Sequence, residues 1–143
     1  MVAIDSREQK PYRFPHSTVK TLPTGDYSVV GLEGEIGIER KTKEDAYASL
    51  GLGRARFERE LVRLSRFDFA AIVIEASLPA FLEAPAFSRM APKAAACSIV
   101  AWSVKYGVHV FFAGDRRHGN ALTLQLLEKY LRYHDGDADA GSR

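Results

Sequence analysis

One cysteine, one tryptophan and four histidines are all that the 143 residues hold of the side chains most used for disulfides, structural zinc and thiol chemistry. A lone Cys97 excludes an internal disulfide and fits a reducing compartment, and no Cys/His cluster is present to build a zinc site. Cys97 stands between alanines and Ser98-Ile99-Val100, the setting of a packed helix residue rather than of an activated thiolate. No stretch approaches the ~18 consecutive apolar residues of a membrane span. The start, Met1-Val2-Ala3-Ile4-Asp5, meets an acid too early for a secretory leader. These absences point to an intracellular protein, cytoplasmic and nucleoid-associated if bacterial, with no membrane partner. Net charge is also small, at +2, so any nucleic-acid role has to be carried by the distribution of charge.

What is present suffices for one domain, because 46% of the chain is apolar. Residues 1–134 are expected to form it. The last nine, 135–143, hold three aspartates, two glycines and no large apolar side chain, so an acidic, disordered tail is expected there. Short apolar runs at 2–4, 19–22, 27–30, 35–41, 69–75 and 108–113 read as strands. Helical spacing appears at 43–49, 54–66, 93–106 and 120–133, with a further turn at 78–82, and Gly107 is placed to end the third of these helices in the left-handed conformation. Alternation of strands and helices in the second half, together with an early hairpin, predicts an α/β layered domain with a mixed sheet.

The hairpin carries the chemistry. Gly31-Leu32-Glu33-Gly34 is a glycine-bounded loop, and if it is symmetric, cross-strand partners are positions whose numbers sum to 65. That register sets Asp26 opposite Glu39, with Ser28 and Lys41 on the same face and Tyr27, Val29, Ile36 and Ile38 on the other. Facing carboxylates repel unless something positive lies between them. A divalent cation meets that need, and oxygen ligands with room for water suit Mg²⁺ or Mn²⁺. Lys41 is then placed to help activate water or to neutralise charge on a phosphate. Taken alone, Asp…Glu-x-Lys also describes an ordinary amphipathic hairpin. Its neighbours make it specific.

Gly25-Asp26-Tyr27, followed by Ile38-Glu39-Arg40-Lys41-Thr42 and then Asp45, resembles the nuclease domain of the XPF-type structure-specific endonucleases. The resemblance extends to Asp5-Ser6-Arg7-Glu8 and to Arg56-Phe57-Glu58-Arg59-Glu60-Leu61. It implies a restriction-endonuclease-like three-layer α/β/α fold and hydrolysis of DNA phosphodiesters dependent on Mg²⁺ or Mn²⁺. By the same resemblance Asp26 and Glu39 are the metal ligands, Lys41 positions the attacking water, and Arg40 stabilises the substrate phosphate. Strand parity turns Arg40 to the opposite face, so a structural role for it stays open. Asp5 is expected among the catalytic residues or as a turn cap, with Glu8, Asp45 and Glu60 in support. Asp45 is alternatively a helix cap.

Charge is uneven in the same region. Residues 40–66 hold eight basic side chains against four acids. Arg56, Arg59, Arg63 and Arg66 recur at i, i+3, i+7 and i+10, a stripe that could track a DNA backbone or form a solvated helix face. Branched or flap DNA is the substrate class the resemblance suggests, although the tandem helix-hairpin-helix module and helicase domain of larger relatives do not fit in 143 residues. Leu122, Leu126, Tyr130 and Tyr133, joined by Trp102 and Tyr106, suggest a homodimer or heterodimer through the C-terminal helices. The alternatives are a catalytically inactive scaffolding subunit, or a resolvase or restriction-type nuclease of the same broad fold.

Overall fold

The apolar run at 69–74 carries no polar side chain on either face, and a strand of that kind needs cover on both. In the computed structural model, which describes residues 1–134, it is the fifth of six strands: β1 (Val2–Asp5), β2 (Ser17–Lys20), β3 (Tyr27–Val29), β4 (Ile36–Lys41), β5 (Phe69–Ile74) and β6 (His109–Phe112). Five helices complete the chain: α1 (Lys43–Leu50), α2 (Arg54–Leu64), α3 (Leu78–Phe81), α4 (Pro92–Tyr106) and α5 (Arg116–His134). The stretch 135–143, for which a disordered tail was expected, lies outside the described residues.

The strands form one mixed sheet in the order β2-β1-β3-β4-β5-β6. Only β3 runs against its neighbours; the β1–β2, β4–β5 and β5–β6 pairs are parallel. The carboxyl ends of five strands and the amino end of β3 therefore meet along one edge. In open α/β sheets that edge is where ligands bind.

Paired residues of parallel strands share a face, which assigns both sides of the sheet. Ala70, Ile72 and Ile74 of β5 pack with α1, α2 and α4 through Tyr47, Leu50, Phe57, Leu61, Ile99 and Trp102. Ala71 and Val73 pack on the other side with Tyr12, Tyr27, Ile38 and Leu127 of α5. The result is the three-layer α/β/α arrangement. α1 starts on a reciprocal cap in which the Asp45 amide donates to Thr42 Oγ1 and the Thr42 amide to Asp45 Oδ2. Gly107 ends α4 at φ 65°, as its position after Tyr106 predicted.

Several boundaries and one placement differ from expectation. β2 lies at 17–20 rather than 19–22, because pairing with β1 sets Lys20 against Asp5 and leaves Leu22 in the following turn, its amide donating to Asp5 Oδ1 at 2.9 Å. α5 starts at Arg116 because Asp115 caps it, accepting from the His118 amide at 2.8 Å. Trp102 does not belong to a docking surface. It is buried against Phe57, with ring centroids 5.7 Å apart. Leu122, Leu126 and Tyr130 are likewise partly buried against the sheet, and of the expected dimer residues only Tyr133 stays fully on the surface, 51% exposed.

Helix α2 buries Phe57, Leu61 and Leu64 on one side and leaves its arginine stripe on the other. Leu61→Ala is expected to lower stability by about 2–5 kcal/mol in urea unfolding, and Arg59→Ala by less than about 0.5 kcal/mol. Comparable losses for the two would contradict this division of faces.

Candidate active site

Tyr27 pairs with Ile38 in the antiparallel β3–β4 ladder, which is the register the glycine-bounded loop predicted. Gly25 leads into it with φ 83°, and a Cβ there would lie 3.4 Å from the Ile38 carbonyl oxygen, so this turn requires glycine. The Asp26 amide donates to Ile38 O, and Asp26 O accepts from the Asp5 amide, both at 2.8 Å. Asp26 is thereby stitched between β1 and β4. Its Oδ2 accepts from the Arg40 amide at 2.8 Å, which aims the carboxyl at the strand end.

The face holding Glu39 and Lys41 is not solvated. α1 and α2 cover it, and both residues are only 8% exposed. Lys41 Nζ lies 3.6 Å from Glu39 Oε2, donates to Ser49 Oγ at 3.0 Å and sits 4.6 Å from the centre of the Phe57 ring. Glu39 has no closer cation among the described residues. Asp26, Glu39, Lys41 and Glu60 line an open cleft of about 650 Å³, with Glu8, Asp45, Arg56 and Arg63 around them.

Electrostatics show what this arrangement costs. Burial, reinforced by the charges of Glu8 and Glu60, pushes the Asp26 carboxyl up to about 7 even though the Arg40 amide favours its ionised form. Burial also raises Glu39 well above the usual carboxylate range, and Asp26 and Glu60 add to the rise. A buried carboxylate beside a second one, with a single lysine for compensation, is a costly arrangement in isolation. Among the described residues no three acid, histidine or cysteine side chains form a complete ligand shell. Asp26 and Glu39 do offer hard oxygen donors on an open cleft, and Mg²⁺ or Mn²⁺ take one or two carboxylates and fill their remaining positions with water and phosphate oxygens. The donor set therefore fits such an ion.

Arg40 follows strand parity. It pairs with Val73 on the α5 side of the sheet, where Nε donates to Glu75 Oε2 at 2.8 Å and Nη1 to Glu8 Oε2 at 3.3 Å. Burial opposes its charge, but Glu75 and Glu8 more than restore it and hold the guanidinium firmly protonated. Its guanidinium is thus held by Glu75 and Glu8, its amide orients Asp26, and the residue lines the cleft from that side. Asp5 is not part of the cleft either. Arg7 Nε and Nη2 and the Leu22 amide occupy both its oxygens, and although burial would raise its pKa, these bonds lower it. Asp45 caps α1 while also lining the cleft. Arg56 and Arg63 reach the cleft wall, whereas Arg59 and Arg66 do not.

Residue reading alone passed over Tyr12 and Glu75. The Tyr12 hydroxyl donates to Glu75 Oε2, the Tyr12 amide donates to Tyr27 Oη at 2.8 Å, and Tyr27 Oη donates to Glu8 Oε2 at 2.6 Å. Glu75, Glu8 and Arg40 are thus locked into one network. A signal existed for Glu75: like Asp5, it is an acid directly after an apolar strand.

These raised carboxyl groups fix a sign for metal-free stability. A carboxyl whose folded-state pKa lies above its unfolded value holds its proton more tightly when folded, so its contribution is complete below about pH 4 and is lost as pH rises through about 7. Metal-free protein is expected to lose stability between about pH 4 and 7, and Asp26→Asn to be the more stable form at the upper end. Added Mg²⁺ should flatten the dependence in thermal unfolding. Stability that climbs with pH over this window in the metal-free protein would contradict the geometry.

The model of the ERCC4 domain matches residues 4–126 of the chain. Among solved structures, XPF from Aeropyrum pernix is similar with a TM-score of 0.71 at 24% identity, over 94% of this chain and 67% of that one. XPF from Aeropyrum pernix in complex with DNA is similar with a TM-score of 0.68 at 26% identity, over 88% of this chain and 62% of that one. No curated protein matches. With the match covering most of its length and the three-layer sheet shared with XPF, the chain belongs to the ERCC4 domain family of nucleases and has the restriction-endonuclease-like α/β fold.

Proposed function

We propose that residues 1–134 are a catalytically competent, Mg²⁺- or Mn²⁺-dependent DNA endonuclease domain. The observation that carries this reading is Glu39, a buried carboxylate next to Asp26 whose nearest cation is Lys41 at 3.6 Å. Nothing in packing rewards such a group, whereas a phosphodiester hydrolase uses it. Asp26 and Glu39 would hold the cation, which when bound supplies Lewis-acid polarisation of the phosphoryl oxygen and neutralises developing charge.

The chain's own residues do the rest. Asp26 is oriented by the Arg40 amide. Lys41, fixed by Ser49 and the Phe57 ring, holds an ammonium in the cleft to orient the nucleophile or to meet phosphate charge. Glu60 and Glu8 surround the pair as proton or water acceptors, and Arg40 and Glu75 brace the wall behind. Arg56 and Arg63 line the α2 side, where phosphate contacts set the register of a strand without reading its sequence. DNA as substrate is supported by the family and by the similar protein that carries DNA. Branched or flap DNA, in repair or recombination, is the substrate class we favour. Any homodimer or heterodimer through α5 would rest on Leu131 and Tyr133, which remain exposed.

Incubation with labelled flap, fork, junction and duplex DNA in Mg²⁺ or Mn²⁺ tests the reading. Asp26→Asn and Lys41→Ala are each expected to slow cleavage by about 10²–10⁴-fold. Binding without cleavage by the parent protein would instead make it a scaffolding subunit. Arg56→Ala with Arg63→Ala should lower the salt dependence of binding by about two in the log–log slope; an unchanged slope would remove these arginines from the interface.

A further inference from the structure

A second cleft, of about 710 Å³, opens on the other side of Arg40, lined by Lys10, Pro11, Tyr12, Arg13, Thr42, Glu75 and Arg116. Arg40 lines both clefts, so they are neighbours along the same edge of the sheet. Their charge balances differ: Glu8, Asp26, Glu39, Asp45 and Glu60 face as many cations around the first, whereas Glu75 is the one acid lining the second. Glu75 is itself taken up by Arg40 and Tyr12. Lys10, Arg13 and Arg116 make no ion pair among the described residues.

The wall presenting these cations is firmly built. Arg116 Nη2 donates to Lys10 O at 2.8 Å and Pro11 O at 3.0 Å, and its guanidinium lies 5.2 Å from the centre of the Tyr12 ring. Asn120 grips Arg13 from both sides, accepting from its amide at 2.9 Å and donating to its carbonyl at 3.1 Å. Tyr12 is 2% exposed and stacks on Tyr27 with centroids 5.2 Å apart. Gly119 makes the close approach of α5 possible, since a Cβ there would collide with the Tyr12 hydroxyl. The 10–13 loop is therefore tied to α5 and β5, while the Lys10 and Arg13 side chains stay in solvent.

We propose that this second cleft is a phosphate-binding subsite for the nucleic-acid strand beyond the cleavage position, held by Lys10, Arg13 and Arg116. The inference rests on the endonuclease reading. The carboxylates of Asp26, Glu39 and Glu60 oppose a phosphodiester placed next to them, so a strand passing there is held by cations on either side of them. α2 supplies one side through Arg56 and Arg63. The Lys10, Arg13 and Arg116 cluster supplies the other, and Arg40 separates this cluster from the acids. The cations come from a loop and a helix, around an open trough rather than an enclosed pocket. That shape fits an extended strand better than a small anion.

Lys10→Ala with Arg13→Ala is the variant of choice, because neither side chain makes a hydrogen bond or ion pair among the described residues. Arg116→Ala is the second variant. Lys129→Ala with Arg132→Ala removes the same number of charges from α5, about 20–24 Å along the helix from Arg116, and serves as control. Binding of a labelled DNA duplex is followed against salt with divalent cations withheld, and cleavage with Mg²⁺ present. The Lys10/Arg13 variant is expected to lower the log–log salt slope by about two and to raise the KM for DNA while leaving kcat within about two-fold, the signature of lost ground-state binding. Arg116→Ala should lower the slope by about one, and the control should not change it. If the parent binds and cuts DNA but the Lys10/Arg13 variant matches it or the control in slope, the subsite is wrong and the endonuclease reading stands. If the parent does not bind DNA at all, both fall.

Discussion

The short antiparallel contact between β3 and β4, with Tyr27 opposite Ile38, is the constraint on which the rest of the molecule depends. In a sheet whose other strands run together, β3 alone is reversed, and its amino end is delivered to the edge where the others finish. Asp26 arrives there next to Glu39 for that reason. One residue of slip would carry Glu39 and Lys41 to the α5 side and leave Ile38 facing α1 and α2. The hydrophobic pattern forbids that slip, because Ile36 and Ile38 are completely buried with Tyr27 and Leu127. Core packing on one face thus enforces the chemistry on the other.

Burial makes that chemistry costly in the folded state and useful in the reaction. α1 and α2 shut water away from Glu39 and Lys41, which weakens the screening of every charge in the cleft. The same exclusion raises both carboxyl groups, making their ionised forms costly. Stability is given up at such a site for an electrostatic field already in place before substrate arrives. Behind it, the network of Tyr12, Glu75, Arg40, Glu8 and Tyr27 keeps the rear wall from relaxing, and it also stands between the carboxylates of the first cleft and the cations of the second.

Much was legible in the residues because alternation along a strand is a strict rule. The pairing of Tyr27 with Ile38, the burial of Tyr27, Val29, Ile36 and Ile38, and the mixed sheet all follow from a glycine-bounded loop and a period of two. Parity also spoke correctly for Arg40, whose guanidinium meets Glu75 and Glu8 on the α5 side. Asp5 admitted two readings, a catalytic residue or a turn cap. An acid at a strand end is a frequent site residue, but here Arg7, two positions on, and the Leu22 amide turn it into a clamp for the following loop. Trp102 and Tyr130 were ambiguous because an apolar side chain on a helix is equally suited to core and interface, and only the neighbouring layers tell which.

By itself the sequence determined the hairpin register, the acidic pair with its lysine, and the arginine-lined face of α2, since each depends on separations of a few residues and on fixed periodicities. The tertiary structure alone decided that α1 and α2 bury the Glu39 face, that Glu75 and Tyr12 lock Arg40, and that Lys10, Arg13 and Arg116 converge. Those groups lie up to about a hundred residues apart in the chain, and Arg116 reaches the Lys10 carbonyl across 106 positions. No local periodicity encodes such a contact. It exists only once α5 has closed over the sheet and burial has paid the entropy of bringing distant segments together.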